Sequence, residues 1–302
     1  MPANPIGIHA GLWVGDWSPA SATYAISESA KAGFDLIEIP AGDAPNIDVA
    51  LTAKLLADHG LTGVYSLALP ASADINDEDD SVVARGERML EAAVTLARDT
   101  GSRYVGGVTY SKMGQYDHPF TARSRANSQA VLGRVAEKAK AAGVTIGLEF
   151  VNRYESNLLN TAQQTVDFIR EIGADNLAVH IDTFHVNTEE PDQVTPVRVA
   201  GPLLAYIHAG ENHRGYLGSG SIDWPALFKA LNESNFTGPI TFESFSGAVL
   251  DPELSHTLGL WRNPWVDPAA VARHAHDFIA TQLAAAAATS SFSIAPATEL
   301  AH

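Results

Sequence analysis

Short runs in which Ile, Leu and Val alternate with small or polar residues recur along the chain. Between them lie longer stretches whose apolar residues return every three or four positions. The alternating runs predict strands at Ile6–His9, at 35–40 (DLIEIP), 61–69, 102–110 and 239–245, and within VTIGLEF, HIDTFHVN and LLAYIHAG. The intervening stretches predict helices with readable ends. Ser18-Pro19 opens the first, and Asn46 caps the second, whose stripe is Leu51, Leu55 and Leu56. The acidic run at 77–80 starts the third, and Val131, Leu132, Val135 and Ala139 form the buried face of the fourth. Thr161 to Gln164 fits a capping box for the fifth, and Asp223 with Pro225 opens the helix after the seventh strand. A proline-punctuated stretch from Glu189 predicts a short or irregular sixth helix, and Asp267-Pro268 begins a last one reaching about Ala284. Eight strand and helix alternations predict an α/β fold, a single-domain (β/α)8 barrel over 1–284. The Ala-, Ser- and Thr-rich remainder, 285–302, is expected to be a mobile tail.

Four consecutive strands end in residues that do not belong in a core: Glu149, Asp182, His208 and Glu243. The intervals between them each leave room for one helix and two short loops, so all four fall at the carboxyl ends of neighbouring strands, where barrel chemistry collects. Taken singly, a glutamate at a strand end ordinarily anchors a loop, and a buried histidine is ordinarily a satisfied core residue. Together, three carboxylates and an imidazole are costly to bury without a cation. Oxygen-rich ligation with one imidazole favours Mn²⁺, Mg²⁺ or Co²⁺ over a closed zinc site. Such an ion can hold two adjacent oxygens of a substrate, polarise a carbonyl and stabilise an enediolate. Glu149 and Glu243, on opposite sides of the mouth, suit a two-base epimerisation in which one removes a proton and the other returns it to the opposite face. Glu155 and His185 lie just beyond these strands and suit a polyol's carbonyl and terminal hydroxyl, and Arg214 lies in the loop after His208. Trp13, Trp17, Trp261 and Phe245 are candidates for the pocket wall. Gly215, Gly218 and Gly220 form no dinucleotide fingerprint but could cradle a phosphate.

A net charge of −16 without a basic patch disfavours a nucleic-acid partner. The absence of cysteine excludes disulfides and thiolate ligands. No secretory leader and no run near ~18 apolar residues is evident, so no membrane partner and a cytoplasmic location are expected.

GLEFVNRYE, HIDTFHVN, IHAGENHRGYLGSGSIDW, ITFESF and LGLWRN resemble the motifs of the ketose 3-epimerases, the D-tagatose and D-allulose (psicose) 3-epimerase family of xylose-isomerase-like barrels. The resemblance covers nearly the whole chain to about Ala284. It implies that Glu149, Asp182, His208 and Glu243 bind one divalent ion, Mn²⁺, Mg²⁺ or Co²⁺, and that Glu149 and Glu243 are the acid/base pair. It also implies that Glu155, His185 and Arg214 hold the O1 to O3 end of a free ketose, with His9 and Ser66 in the region facing the sugar, and a homodimer or homotetramer. Trp17, from the first loop, is a further candidate sugar contact. The expected reaction is C3 epimerisation of D-fructose with D-allulose, or of D-tagatose with D-sorbose. The rival readings are an aldose–ketose isomerase of the same superfamily and a metal-dependent sugar-binding protein without turnover. A barrel endonuclease would want more histidines and a basic groove.

Overall fold

The structure, a computed structural model, describes residues 4–290. Eight parallel strands close a barrel in chain order: β1 (Ile6–His9), β2 (Leu36–Pro40), β3 (Thr62–Ser66), β4 (Tyr104–Gly106), β5 (Thr145–Glu149), β6 (Leu177–Asp182), β7 (Leu204–Ala209) and β8 (Ile240–Phe242). The last pairs with the first, Ile6 opposite Ile240, so the sheet has no edge. Around it run α1 (Pro19–Lys31), α2 (Val49–His59), α3 (Asp80–Asp99), α4 (Ala122–Ala141), α5 (Ala162–Ile172), α6 (Thr183–Glu189), α7 (Thr195–Ala200), α8 (Trp224–Glu233), α9 (Pro252–Thr257) and α10 (Pro268–Ser290). None of the described helices is long and apolar enough to cross a membrane.

The alternation along the strands sorts side chains between two environments. Ile6, Ile8, Ile37, Ile39, Ile146, Leu148, Val179, Ile181, Ile207, Ile240 and Phe242 join the main core with the helices. The opposite parity turns inward: Leu36, Val64, Tyr104 and Tyr206 pack as a separate cluster on the barrel floor, with Tyr104 and Tyr206 stacked 4.6 Å apart. One pleat further toward the carboxyl ends, the same parity carries Glu38, Glu149, Asp182, His208 and Glu243. The polar residues at the strand ends thus sit on a packed floor.

Several helix ends are those the sequence predicts. Ser18 caps α1, Thr161 and Gln164 form both bonds of a capping box on α5, and Asp223 caps α8 with proline in the first turn. Others differ. Asn46 belongs to a short 3₁₀ turn, and the cap of α2 is Asp48, which accepts the Leu51 N–H at 2.9 Å. HIDTFHVN is not one strand. It ends at Asp182, whose side chain accepts the Phe184 N–H and starts α6, so His185 stands in a helical turn. The irregular sixth connection is two short helices, α6 and α7, and α9 is an element the pattern did not reveal. The last helix runs past Ala284, so residues 285–290 are helical and not tail; 291–302 lie outside the described residues.

The floor demands glycine at position 147. A Cβ on Gly147 would stand 1.9 Å from the Tyr104 hydroxyl, whereas one on Gly133, inside α4, would meet nothing nearer than 3.8 Å. Gly147→Ala is expected to destabilise the protein by about 1–3 kcal/mol. Gly133→Ala is expected to stabilise it by about 0.5–1 kcal/mol through helix propensity. Denaturant titration of both variants checks this; equal effects would mean that the floor is loosely packed.

Candidate active site

Glu149 closes β5, Asp182 closes β6, His208 is the penultimate residue of β7, and Glu243 directly follows β8. All four are buried. His208 is the centre. Its Nδ1 lies 3.4 Å from Glu149 Oε1 and 3.5 Å from Glu243 Oε1, and its Nε2 lies 2.8 Å from Glu38 Oε2. Asp182 uses Oδ1 to cap α6, while its buried Oδ2 has no hydrogen-bond partner and lies 3.1 Å from Arg214 Nη1 and 3.5 Å from His185 Nε2. Arg214 also pairs with Glu243, and its guanidinium stacks over Phe184, 4.1 Å from the ring centre.

Among the described residues, three sets of side chains can each bring ligand atoms within 4.8 Å of one another: Asp182, His208 and Glu243; Glu149, Asp182 and His185; and Glu149, His180 and His208. Tautomers sort them. His185 Nδ1 accepts the Asn152 backbone N–H at 3.2 Å, which leaves its proton on Nε2, facing the carboxylates. His185 is therefore a hydrogen-bond donor into the site, and burial, with Arg214 nearby, keeps it neutral. His180 sits one pleat deeper, wedged edge-on against His208 and Tyr206, and burial keeps it neutral too. What remains is a buried group of two carboxylates and one imidazole, Asp182, Glu243 and His208, that can hold a metal ion, with Glu149 Oε1 3.4 Å from the same imidazole nitrogen; Asp182 Oδ2, which has no hydrogen bond, fits that use.

The charges depend on one another. Burial pushes the Glu149 carboxyl up to about 7 and Asp182 up to about 6, with neighbouring carboxylates adding to the rise. Burial opposes charge on His208 as well, yet Glu243, Glu38 and Glu149 hold it well above the usual imidazole range. Glu243 would also rise with burial, but His208 and Arg214 bring it below its ordinary value. Burial raises Glu155, which is held by the Asn152 side chain at 3.0 Å. Asn152 thus orients both Glu155 and His185.

A cavity of about 260 Å³ opens over this cluster, a size for a small metabolite. His9, Ser66, Glu149, His185, His208, Arg214, Glu243 and Phe245 line its polar end and one wall. Val14, Leu67, Val108, Met113, Leu250, Leu254 and Leu258 make its far side apolar, the last three from the α9 segment. Trp17 and Trp13 do not join this lining. Their indole N–H groups donate to Thr52 on α2 and Ser29 on α1, tying the first loop to the helix ring. Trp261 lines a neighbouring cleft with Glu155 and Arg214 and is 78% exposed. The glycine-rich loop is no phosphate cradle: the buried Glu211 carboxylate already accepts the Gly218 N–H and the Trp224 indole N–H, and its negative charge repels an anion. A larger cavity, about 480 Å³, lies apart between the β3–α3 and β4–α4 loops, where Asp74 is saturated by Tyr116, Lys112 and Asn76 and serves to tie those loops together.

Sequence reasoning missed Glu38, His180, Asn152 and Glu211. Glu38 had a signal, an acid inside the otherwise apolar DLIEIP. Asn152 stood in view beside Glu149. Nothing distinguished Glu211 from a surface loop acid.

Comparison with known proteins bears on this geometry. The family model described as a xylose isomerase-like TIM barrel matches residues 26–282. A ketose 3-epimerase of Arthrobacter globiformis is 43% identical over 280 residues, covering 93% of this chain and 97% of that protein. The chain belongs to the ketose 3-epimerases. As a member of that family of xylose isomerase-like barrels, it is a carbohydrate isomerase. Among solved structures, the D-allulose 3-epimerase of Methylomonas sp. in complex with D-allulose superposes with a TM-score of 0.91 at 43% identity, covering 93% of this chain and 97% of that one. An L-ribulose 3-epimerase superposes with a TM-score of 0.94 at 41% identity, covering 98% and 99%.

The raised Asp182 carboxyl yields a pH prediction for this epimerase. A carboxyl whose folded-state pKa lies at about 6, above the ordinary 3.8, costs stability increasingly as the pH rises through that window. In chelator-treated protein, Asp182→Asn is expected to raise the melting temperature at pH 8, with the gain fading as the pH falls to about 4. Calorimetry across that range checks it; a lower melting temperature at pH 8 would mean that pairing with Arg214 outweighs burial.

Proposed function

We propose that this protein is a metal-dependent epimerase acting at C3 of free ketohexoses, interconverting D-fructose with D-allulose or D-tagatose with D-sorbose. The single observation that carries the reading is His208 Nδ1 held between Glu149 Oε1 and Glu243 Oε1, at 3.4 and 3.5 Å. Glu149, Asp182, His208 and Glu243 would hold the ion, and this hard donor set suits Mn²⁺, Mg²⁺ or Co²⁺. When bound, the ion would supply Lewis-acid polarisation of the ketose carbonyl and neutralise charge developing on the sugar oxygens.

The chain's own groups do the rest. Glu149, raised to about 7 by burial, is poised to exchange a proton near neutral pH. Glu243, kept below its ordinary value by His208 and Arg214, is the ionised partner. One takes the C3 proton and the other delivers a proton to the opposite face, and the roles reverse in the reverse reaction. His185, with its proton on Nε2, and Arg214 donate to sugar oxygens, and Glu155 accepts from a hydroxyl at the same end. His9 and Ser66 face the other end of the ketose, beside the apolar wall of Met113, Leu254 and Leu258. That wall offers few hydrogen bonds to C4 to C6, and supports acceptance of more than one ketose there. It also disfavours a phosphorylated substrate. A homodimer or homotetramer, as the family resemblance implies, is part of this reading. A cytoplasmic enzyme fits the chain's composition.

The test is a panel of free and phosphorylated ketoses, assayed after chelation and re-addition of single divalent ions. Activity should vanish on chelation and return with Mn²⁺, Co²⁺ or Mg²⁺, with free ketohexoses as substrates and C3 epimers as products. An aldose product would overturn the reading in favour of C1–C2 isomerisation. Glu149→Gln and Glu243→Gln should each slow C3 proton exchange with solvent by about 100- to 10,000-fold while the barrel stays folded. Unchanged exchange in either variant removes the two-base mechanism.

A further inference from the structure

Glu38 is an acid in the middle of a buried parallel strand, 1% exposed, and it is absent from the lining of the substrate cavity. Such a group is costly to bury without a dedicated partner. Its partners include two histidines, with the Tyr206 hydroxyl also beside it. Oε2 lies 2.8 Å from His208 Nε2, and Oε1, with no hydrogen bond of its own, faces His9 Nε2 at 3.9 Å. The His9 tautomer follows from its other nitrogen: Nδ1 accepts the Gly11 N–H at 3.0 Å, so the proton is on Nε2, toward Glu38.

We infer that Glu38 is a positioning residue for the metal centre: its carboxylate holds the His208 proton on Nε2 and the ring in one plane, so that the Nδ1 lone pair is presented between Glu149 and Glu243. Without an ion the surrounding carboxylates favour the charged ring; an ion at Nδ1 would displace one of its two protons, and the nitrogen that keeps the other cannot bind it. An ionised carboxylate can only accept, so it admits one tautomer, and its charge makes the ring a stronger ligand. His9 turns its Nε2–H toward the far oxygen from 3.9 Å, an electrostatic contact that favours this orientation of the carboxylate. The sequence places all three on inward positions, β1, β2 and β7, at one level of the barrel. This inference rests on the metal-dependent reading above and deepens it.

The test uses the full chain, stripped of ions, as wild type and as Glu38→Gln and Glu38→Met. Gln keeps the size but can accept from or donate to His208, and Met removes the hydrogen bond. Mn²⁺ affinity is measured by calorimetry, and the ring ¹⁵N shifts of His208 are followed in ion-free protein up to alkaline pH, where the ring is neutral. The expected result is binding weakened by about 10- to 100-fold in the variants. The wild type should show a protonated Nε2, and Glu38→Gln a mixture of tautomers, with the circular dichroism of the barrel unchanged. Should Glu38→Met fail to fold, Glu38→Gln alone decides. No Mn²⁺ binding by the wild type would remove the metal-dependent reading itself. Wild-type binding matched within threefold by a folded variant with the same ¹⁵N pattern would overturn the role of Glu38 and leave the metal site standing.

Discussion

The structure turns on the confinement of like charges. Glu38, Glu149, Asp182 and Glu243 are brought into one buried space by the parity of four strands, and among the described residues His208 and Arg214 are the cations that offset them directly. A water-filled surface would screen such a cluster, but the closed barrel with its tyrosine floor does not. The result is a graded set of acids. One carboxyl is held up near neutrality and another held down within reach of the same imidazole, which is the division of labour that reversible proton transfer needs.

Arg214 illustrates how the loops are recruited to the same problem. Its backbone adopts φ of +59°, unusual for a residue with a side chain, and its carbonyl is held by the Ser244 hydroxyl, itself held by the Trp265 indole at 2.7 Å. The guanidinium is thereby laid between Phe184 and Phe245. Those contacts fix a cation that surface pairing would leave loose.

The fold was legible in the sequence because its signals are local. Strand alternation, capping boxes and proline placement each act within a few residues, and the four strand-end groups inherit their position from them. What was not legible depended on where side chains meet. Trp17 looked like a pocket wall because it follows the first strand, yet its indole finds Thr52 two elements away. HIDTFHVN read as a single strand because its apolar positions also suit a helical turn, and only the capping bond of Asp182 decides the break. Glu38 and Asn152 were visible as residues but not as partners of His208 and His185, since nothing in a one-dimensional pattern says which strands face each other across a barrel.

The pleat has a further consequence for how such a chain can drift. Each strand sends alternate positions to two incompatible surroundings, so a single inserted or deleted residue within β5, β6 or β7 would swing its acid or imidazole out among Ile and Leu and drop an aliphatic into the mouth. Connections tolerate changes of any length, and α9 is a segment of that kind, adding Leu254 to the cavity without altering the frame beneath it. Novelty in this architecture is thus channelled into what overhangs the sugar, while the eight registers below behave as a code read only in steps of two.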